Sequence, residues 1–137
     1  FDINIKGVYR SIQAALPYLM KRERSRIVTF SSMWGQVGAS CESHYAASKG
    51  AVIALTQSLA KELGPSGVRV NCVSPGTILT DMTAVVGQGR LDALAEETPL
   101  ERNGSPEDAA RAAAFLCSEA ADFITGQVVA VNGGYIV

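Results

Sequence analysis

Two short runs rich in β-branched residues, Arg26-Ile27-Val28-Thr29-Phe30-Ser31 and Val68-Arg69-Val70-Asn71-Cys72-Val73, flank one long helical stretch. Near-continuous apolar runs of this length suit strands covered on both faces, as in a parallel sheet. The stretch between them predicts a helix from about Ser43 to Leu63, stopped by Gly64-Pro65-Ser66-Gly67. A strand, a helix and a strand in that order make a crossover unit with its two strands parallel.

The remaining segments extend the pattern. Ile5, Val8, Ile12, Ala15, Leu16 and Leu19 recur at three- and four-residue intervals and predict an amphipathic helix from about Asn4 to Arg24. Pro17 predicts a kink in it, and Lys21-Arg22-Glu23-Arg24 reads as a solvated helix end. Ser32 to Glu42 reads as a polar, glycine-containing loop. Thr77 to Gly104 is irregular, with one helix around Arg90 to Glu97. Ser105-Pro106-Glu107-Asp108 has the cap, the proline and the acids of a helix start, and that helix runs to about Ser118. Gln127 to Val131 is a last strand. The reading is an α/β fold, three parallel strands joined by right-handed helical crossovers.

Three strands alone leave a long open edge. Phe1, rather than methionine, enters directly into helical periodicity. Both features predict that residues 1–137 are the C-terminal portion of a single doubly wound parallel domain recorded from a longer protein. Charge and composition narrow the partners. Apolar residues make up 47% and charged residues 18%, so a core can form. Thirteen acids against twelve basic residues leave −1, which argues against nucleic acid and an anionic membrane surface. No apolar run approaches the roughly 20 residues of a membrane span. Cys41, Cys72 and Cys117 lack CxxC spacing and His44 is the only histidine, so the thiols read as reduced, cytoplasmic and free of metal.

Tyr45 and Lys49 share one helix face. A phenol titrates near 10 and needs its anion stabilised to work as an acid–base group at neutral pH. An ammonium about 4 Å away supplies on the order of 4 kcal/mol at an effective dielectric near 20, or about three pKa units. Chance alone gives such a spacing about once in eight chains of this composition, so the pair needs company. Ser32 supplies it, standing 13 residues earlier at the C-terminal end of the first strand, where open α/β sheets place their ligands. Its hydroxyl would hold a carbonyl oxygen while the tyrosine exchanges the proton. Ser31 is a rival for that role and Ser40 a weaker one. Trp34 either lines a substrate pocket or packs against a lid, Cys72 and Cys117 read as small core residues, and Cys41 lacks a base.

Asn4, Ser32 and Tyr45-Ala46-Ala47-Ser48-Lys49 together resemble the Asn-Ser-Tyr-Lys tetrad of the short-chain dehydrogenases/reductases. Val70-Asn71-Cys72-Val73-Ser74-Pro75-Gly76 with Thr80-Asp81-Met82, Ile124-Thr125-Gly126-Gln127 and Val131-Asn132-Gly133-Gly134 are similar to later segments of that family. The resemblance implies a Rossmann-like oxidoreductase that moves a hydride between a nicotinamide and a carbonyl or alcohol. Tyr45 would be its acid–base group, Lys49 would lower the phenol pKa and bind the nicotinamide ribose, and Ser32 would orient the substrate oxygen. Asn4 would hold a water that relays protons by way of Lys49. Tyr45, Lys49, Pro75, Gly76, Ile78 and Thr80 would line the cofactor, with NADP(H) ahead of NAD(H), and Leu79 to Pro99 would form a mobile substrate lid.

The family's glycine-rich phosphate loop has no counterpart in these residues, so the implied activity is that of an intact protein. Within the family the motifs look closest to 3-oxoacyl-(acyl-carrier-protein) reductases, acting on a small-molecule or carrier-linked carbonyl as a homo-oligomer, tetramer or dimer. Ser32 to Glu42 also resembles the reductases that complete the 5-aminopentanol modification of bacterial elongation factor P. Other readings are a catalytically silent Rossmann module that binds a nucleotide or partner, and an inactive fragment.

Overall fold

The computed structural model describes all residues from Phe1 to Val137. A π-helical turn, Asp2–Gly7, runs into α1, Val8–Leu19. Then follow β1 (Ser25–Phe30), α2 (Met33–Val37), α3 (Ser43–Leu63) and β2 (Val68–Pro75). The long excursion after β2 holds α4 (Asp81–Ala84) and α5 (Gln88–Glu97), and α6 (Pro106–Cys117) leads back to β3 (Val128–Val131). The strands form one parallel sheet in the order β1-β2-β3, with Ser25 opposite Val68, Phe30 opposite Val73 and Cys72 opposite Val128. The far edge of β1 is unpaired in this chain.

The expected elements form where local chemistry specified them. α3 has the predicted bounds, ended by the Gly64–Ser66 turn and by Gly67 at φ +77. A Cβ at Gly67 would meet the Glu23 carbonyl at 2.8 Å, so the chain passes there only without a side chain. Ser105 caps α6 by accepting from the Asp108 N–H, and the Asp108 carboxylate accepts from the Ser105 N–H at 2.8 Å. α1 passes through Pro17, and the irregular backbone lies at its other end, in the π-helical turn. Helix ends before the basic cluster, and Arg24 turns to Asp122.

Ile12, Leu59, Ala60, Leu63, Val68 and Val70 make the core between α1, α3 and one face of the sheet. Arg69 alternates with Val68 and Val70 and so points to the other face. There it donates to the carbonyls of Leu116, Ser118 and Ile124 at and beyond the end of α6. Helices α3 and α6 therefore cover opposite faces. Both crossovers step the same way across the sheet, so they have opposite hands, which corrects the expectation of uniform right-handedness. The excursion between β2 and α6 is long enough to carry the chain to the far face.

Candidate active site

Helix α3 starts beside the C-terminal end of β1 and delivers Tyr45 and Lys49 there. The Lys49 ammonium donates to the carbonyl of Phe30, the last residue of β1, at 3.2 Å. It stands 5.9 Å from the centroid of the Tyr45 ring, within cation–π reach. Burial pushes the Lys49 pKa down, with the neighbouring Cys72 opposing. An ammonium has three N–H donors and Lys49 uses one on the protein, which leaves donors for the hydroxyls of a ribose. That donor set fits the ribose of a nucleotide cofactor.

Ser32 follows β1 directly. It is buried, and its Oγ caps α2 by accepting from the Trp34 N–H at 3.2 Å. Accepting that bond leaves its own proton to give. The Ser31 hydroxyl instead donates to the Lys49 carbonyl at 2.8 Å, a structural bond between β1 and α3. Ser40 is exposed and bonds only to Cys41. Helix α2 was not foreseen in the Ser32–Glu42 loop. It fits because Gly35 lies flat against Lys49, where a Cβ would come 2.7 Å from the Lys49 carbonyl carbon. Ser32, Tyr45 and Lys49 thus share one end of the sheet.

Asn4 joins them through a residue that the sequence reading passed over. Its side-chain amide donates to Ser48 Oγ, and that hydroxyl donates to the Tyr45 carbonyl. Ser48 is 1% exposed. The only local signal was a serine three residues after Tyr45, the spacing of a back-bond within a helix.

Among the expected cofactor residues, Pro75 ends β2 and Gly76 donates to the Val131 carbonyl at 2.9 Å. A Cβ on Gly76 would approach that of Asn132 to 2.7 Å, so this turn is glycine by necessity. Ile78 pairs with Gly104 and pins the two ends of the excursion together. Thr80 is exposed and opens α4, its N–H donating to Thr83 Oγ1 at 2.8 Å. Leu91 and Leu94 bury α5, whereas Leu79, Met82, Val85 and Val86 expose apolar side chains around α4.

The other singled-out residues also find places. Trp34 packs edge-on to Tyr135 in the C-terminal tail. Burial pushes the Cys72 thiol up and keeps it a neutral core group. Cys117 is exposed, which corrects its reading as a core residue, because it sits on the solvent side of the last turn of α6. No helix is long and apolar enough to cross a membrane.

Comparison with known proteins bears on the family and the fold. The family model described as enoyl-(acyl carrier protein) reductase matches residues 1–136. The 3-oxoacyl-(acyl-carrier-protein) reductase of Aquifex aeolicus is 45% identical over 132 residues, 96% of this chain and 53% of its own length. A short-chain dehydrogenase/reductase of Brucella melitensis, a glucose/ribitol dehydrogenase, aligns with a TM-score of 0.93 at 45% identity, over 98% of this chain and 54% of that one. A gluconate 5-dehydrogenase of Burkholderia cenocepacia, solved with NADP and tartrate, aligns with a TM-score of 0.90 at 32% identity, over 96% and 52%. The chain spans about half the length of the relatives it matches. A match to the family model along nearly the whole chain, together with this fold, shows that the chain belongs to the short-chain dehydrogenase/reductase family.

Proposed function

We propose that these residues are the catalytic, C-terminal portion of an NAD(P)(H)-dependent oxidoreductase that interconverts a carbonyl and an alcohol. The observation that carries this reading is the Tyr45–Lys49 pair set beside Ser32 at the C-terminal end of β1. Tyr45 exchanges a proton with the substrate oxygen. Lys49 supplies the positive charge that steadies the phenolate, and offers its remaining donors to the ribose. Ser32 donates its hydroxyl proton to the same substrate oxygen. Asn4, through Ser48, holds the backbone at Tyr45 in place. A bound nicotinamide supplies or accepts the hydride.

Tyr45, Lys49, Pro75, Gly76, Ile78 and Thr80 form the cofactor side of the site. NADP(H) is favoured over NAD(H), in keeping with the NADP-bound gluconate dehydrogenase. The A. aeolicus relative, a 3-oxoacyl-(acyl-carrier-protein) reductase, supports a carrier-linked or small-molecule carbonyl substrate. Three free cysteines are in keeping with a cytoplasmic protein. A homo-oligomer, tetramer or dimer, would meet through α1 and α3, where Ile5, Tyr9, Gln13 and Leu55 line a shallow groove of about 380 Å³.

The test is reduction of a panel of 3-oxoacyl thioesters and simple ketones by the full-length protein with NADPH and with NADH. Tyr45→Phe serves as the control, expected to lose turnover by about 10²- to 10⁴-fold while cofactor binding survives. Full activity in Tyr45→Phe overturns the assignment. Cofactor binding without turnover of any substrate favours a silent binding module.

A further inference from the structure

Tyr135, two residues from the end of the described chain, joins parts of the molecule that lie far apart in sequence. Its ring meets Trp34 edge-on, with centroids 6.2 Å apart and planes at 87°. Its hydroxyl donates to Glu97 Oε2 at 3.0 Å, and Glu97 is the last residue of α5. Arg90, two turns earlier on α5, reaches the other oxygen of Glu97 at 3.7 Å. Trp34 is the residue whose N–H fixes Ser32 Oγ. One side chain thus touches both the helix that Ser32 caps and the helix that fills the excursion after β2.

The turn beneath Tyr135 is built to hold it still. Gly133 and Gly134 adopt φ +63 and +88, and a Cβ on Gly133 would stand 2.6 Å from Thr98 Cγ2. The Leu100 N–H donates to the Gly133 carbonyl at 3.2 Å. Asn132 accepts from the Gly134 N–H and donates to the Ile136 carbonyl, both at 2.9 Å. The tail is therefore stitched to Thr98–Leu100, directly after α5.

We propose that Tyr135 is a positioning residue for substrate binding, tying the C-terminal end of α5, through Glu97, to Trp34 on α2, the helix that Ser32 caps. This rests on the reading of Ser32 as the group that orients the substrate oxygen. The bond from phenol to carboxylate is the part of this latch that can be removed cleanly, because phenylalanine keeps the edge contact with Trp34.

The experiment uses the full-length protein. Tyr135→Phe and Glu97→Ala each raise KM for the carbonyl substrate about fivefold, with kcat within about twofold and cofactor affinity unchanged. Glu97→Gln loses the ion pair to Arg90 but keeps an oxygen that accepts from the phenol, so its KM stays near the wild-type value. The double variant Tyr135→Phe/Glu97→Ala is no worse than either single one, as expected for two ends of one bond. Amide hydrogen exchange over Leu94–Leu100 quickens in Tyr135→Phe, and this readout needs no turnover. Unchanged exchange with unchanged KM in Tyr135→Phe overturns the proposal, as does a loss in Glu97→Gln equal to that in Glu97→Ala. A wild-type protein with no reductase activity overturns the functional reading instead, and the exchange measurement still decides the latch.

Discussion

The side-chain amide of Asn4 donates to the hydroxyl of Ser48 at 3.1 Å, tying the π-helical first turn to the helix that carries Tyr45 and Lys49. The same hydroxyl spends its proton on the Tyr45 carbonyl at 2.8 Å. Both polar groups are satisfied by one buried oxygen, so its removal leaves an amide without a partner.

Ser48→Ala should therefore cost more than a solvent-facing serine would. The expected loss is about 1–3 kcal/mol of stability, read from urea titration. Asn4→Ala, which removes the donor and leaves the serine bonded to Tyr45, should cost less. Equal effects, or none in Ser48→Ala, would show that the link does not hold the two helices together.

Lys49→Ala in the full-length protein should weaken cofactor binding, because the ammonium whose free donors would meet the ribose is gone. Its stability profile has a definite sign. Burial lowers the Lys49 pKa, so the folded chain releases the proton before the unfolded chain does at about 10.5. Between those values unfolding takes up a proton, and stability rises as pH climbs through the window. Lys49→Met lacks this group, so its stability advantage over wild type should shrink as pH approaches 10.5. A gap independent of pH would count against burial as the cause.

Ser32→Ala and Ser31→Ala should separate chemistry from scaffolding. Ser32→Ala removes the hydroxyl proposed to hold the substrate oxygen and should lower kcat by about 10²-fold or more. Ser31→Ala breaks the bond to the Lys49 carbonyl and should cost about 1 kcal/mol of stability while keeping most of the activity. The reverse pattern would reassign the substrate-binding serine.

Arg102 meets Asp108 through two bonds, 2.7 and 3.2 Å long, and holds that carboxyl well below the usual carboxylate range. A depressed carboxylate contributes stability above its ordinary value near 3.8 and loses it as pH falls through the folded value. Arg102→Ala should raise the pH at which acid unfolds the protein, followed by circular dichroism. An unchanged acid midpoint would mean that the ion pair is dispensable to the start of α6.

The legible parts of this fold were those specified by neighbours in sequence. The Gly64-Pro65-Ser66-Gly67 break set the end of α3, and the Ser105–Asp108 box set the start of α6. Tyr45, Lys49 and Ser32 were legible because helix spacing and strand ends place them before any tertiary contact is known. What escaped depends on partners distant along the chain. Helix α2 forms where Gly35 meets Lys49, and Ser48 gains its role from Asn4, 44 residues away. The opposite hands of the two crossovers follow from Arg69 reaching the far end of α6, which no local pattern encodes.

The bare flank of β1 gives the chain a practical character of its own. Its outward amides and carbonyls form a ready seam for any extended peptide, and Phe30 adds apolar surface at one end of that row. One more parallel strand laid along β1 would take up that row of groups and cover its apolar end.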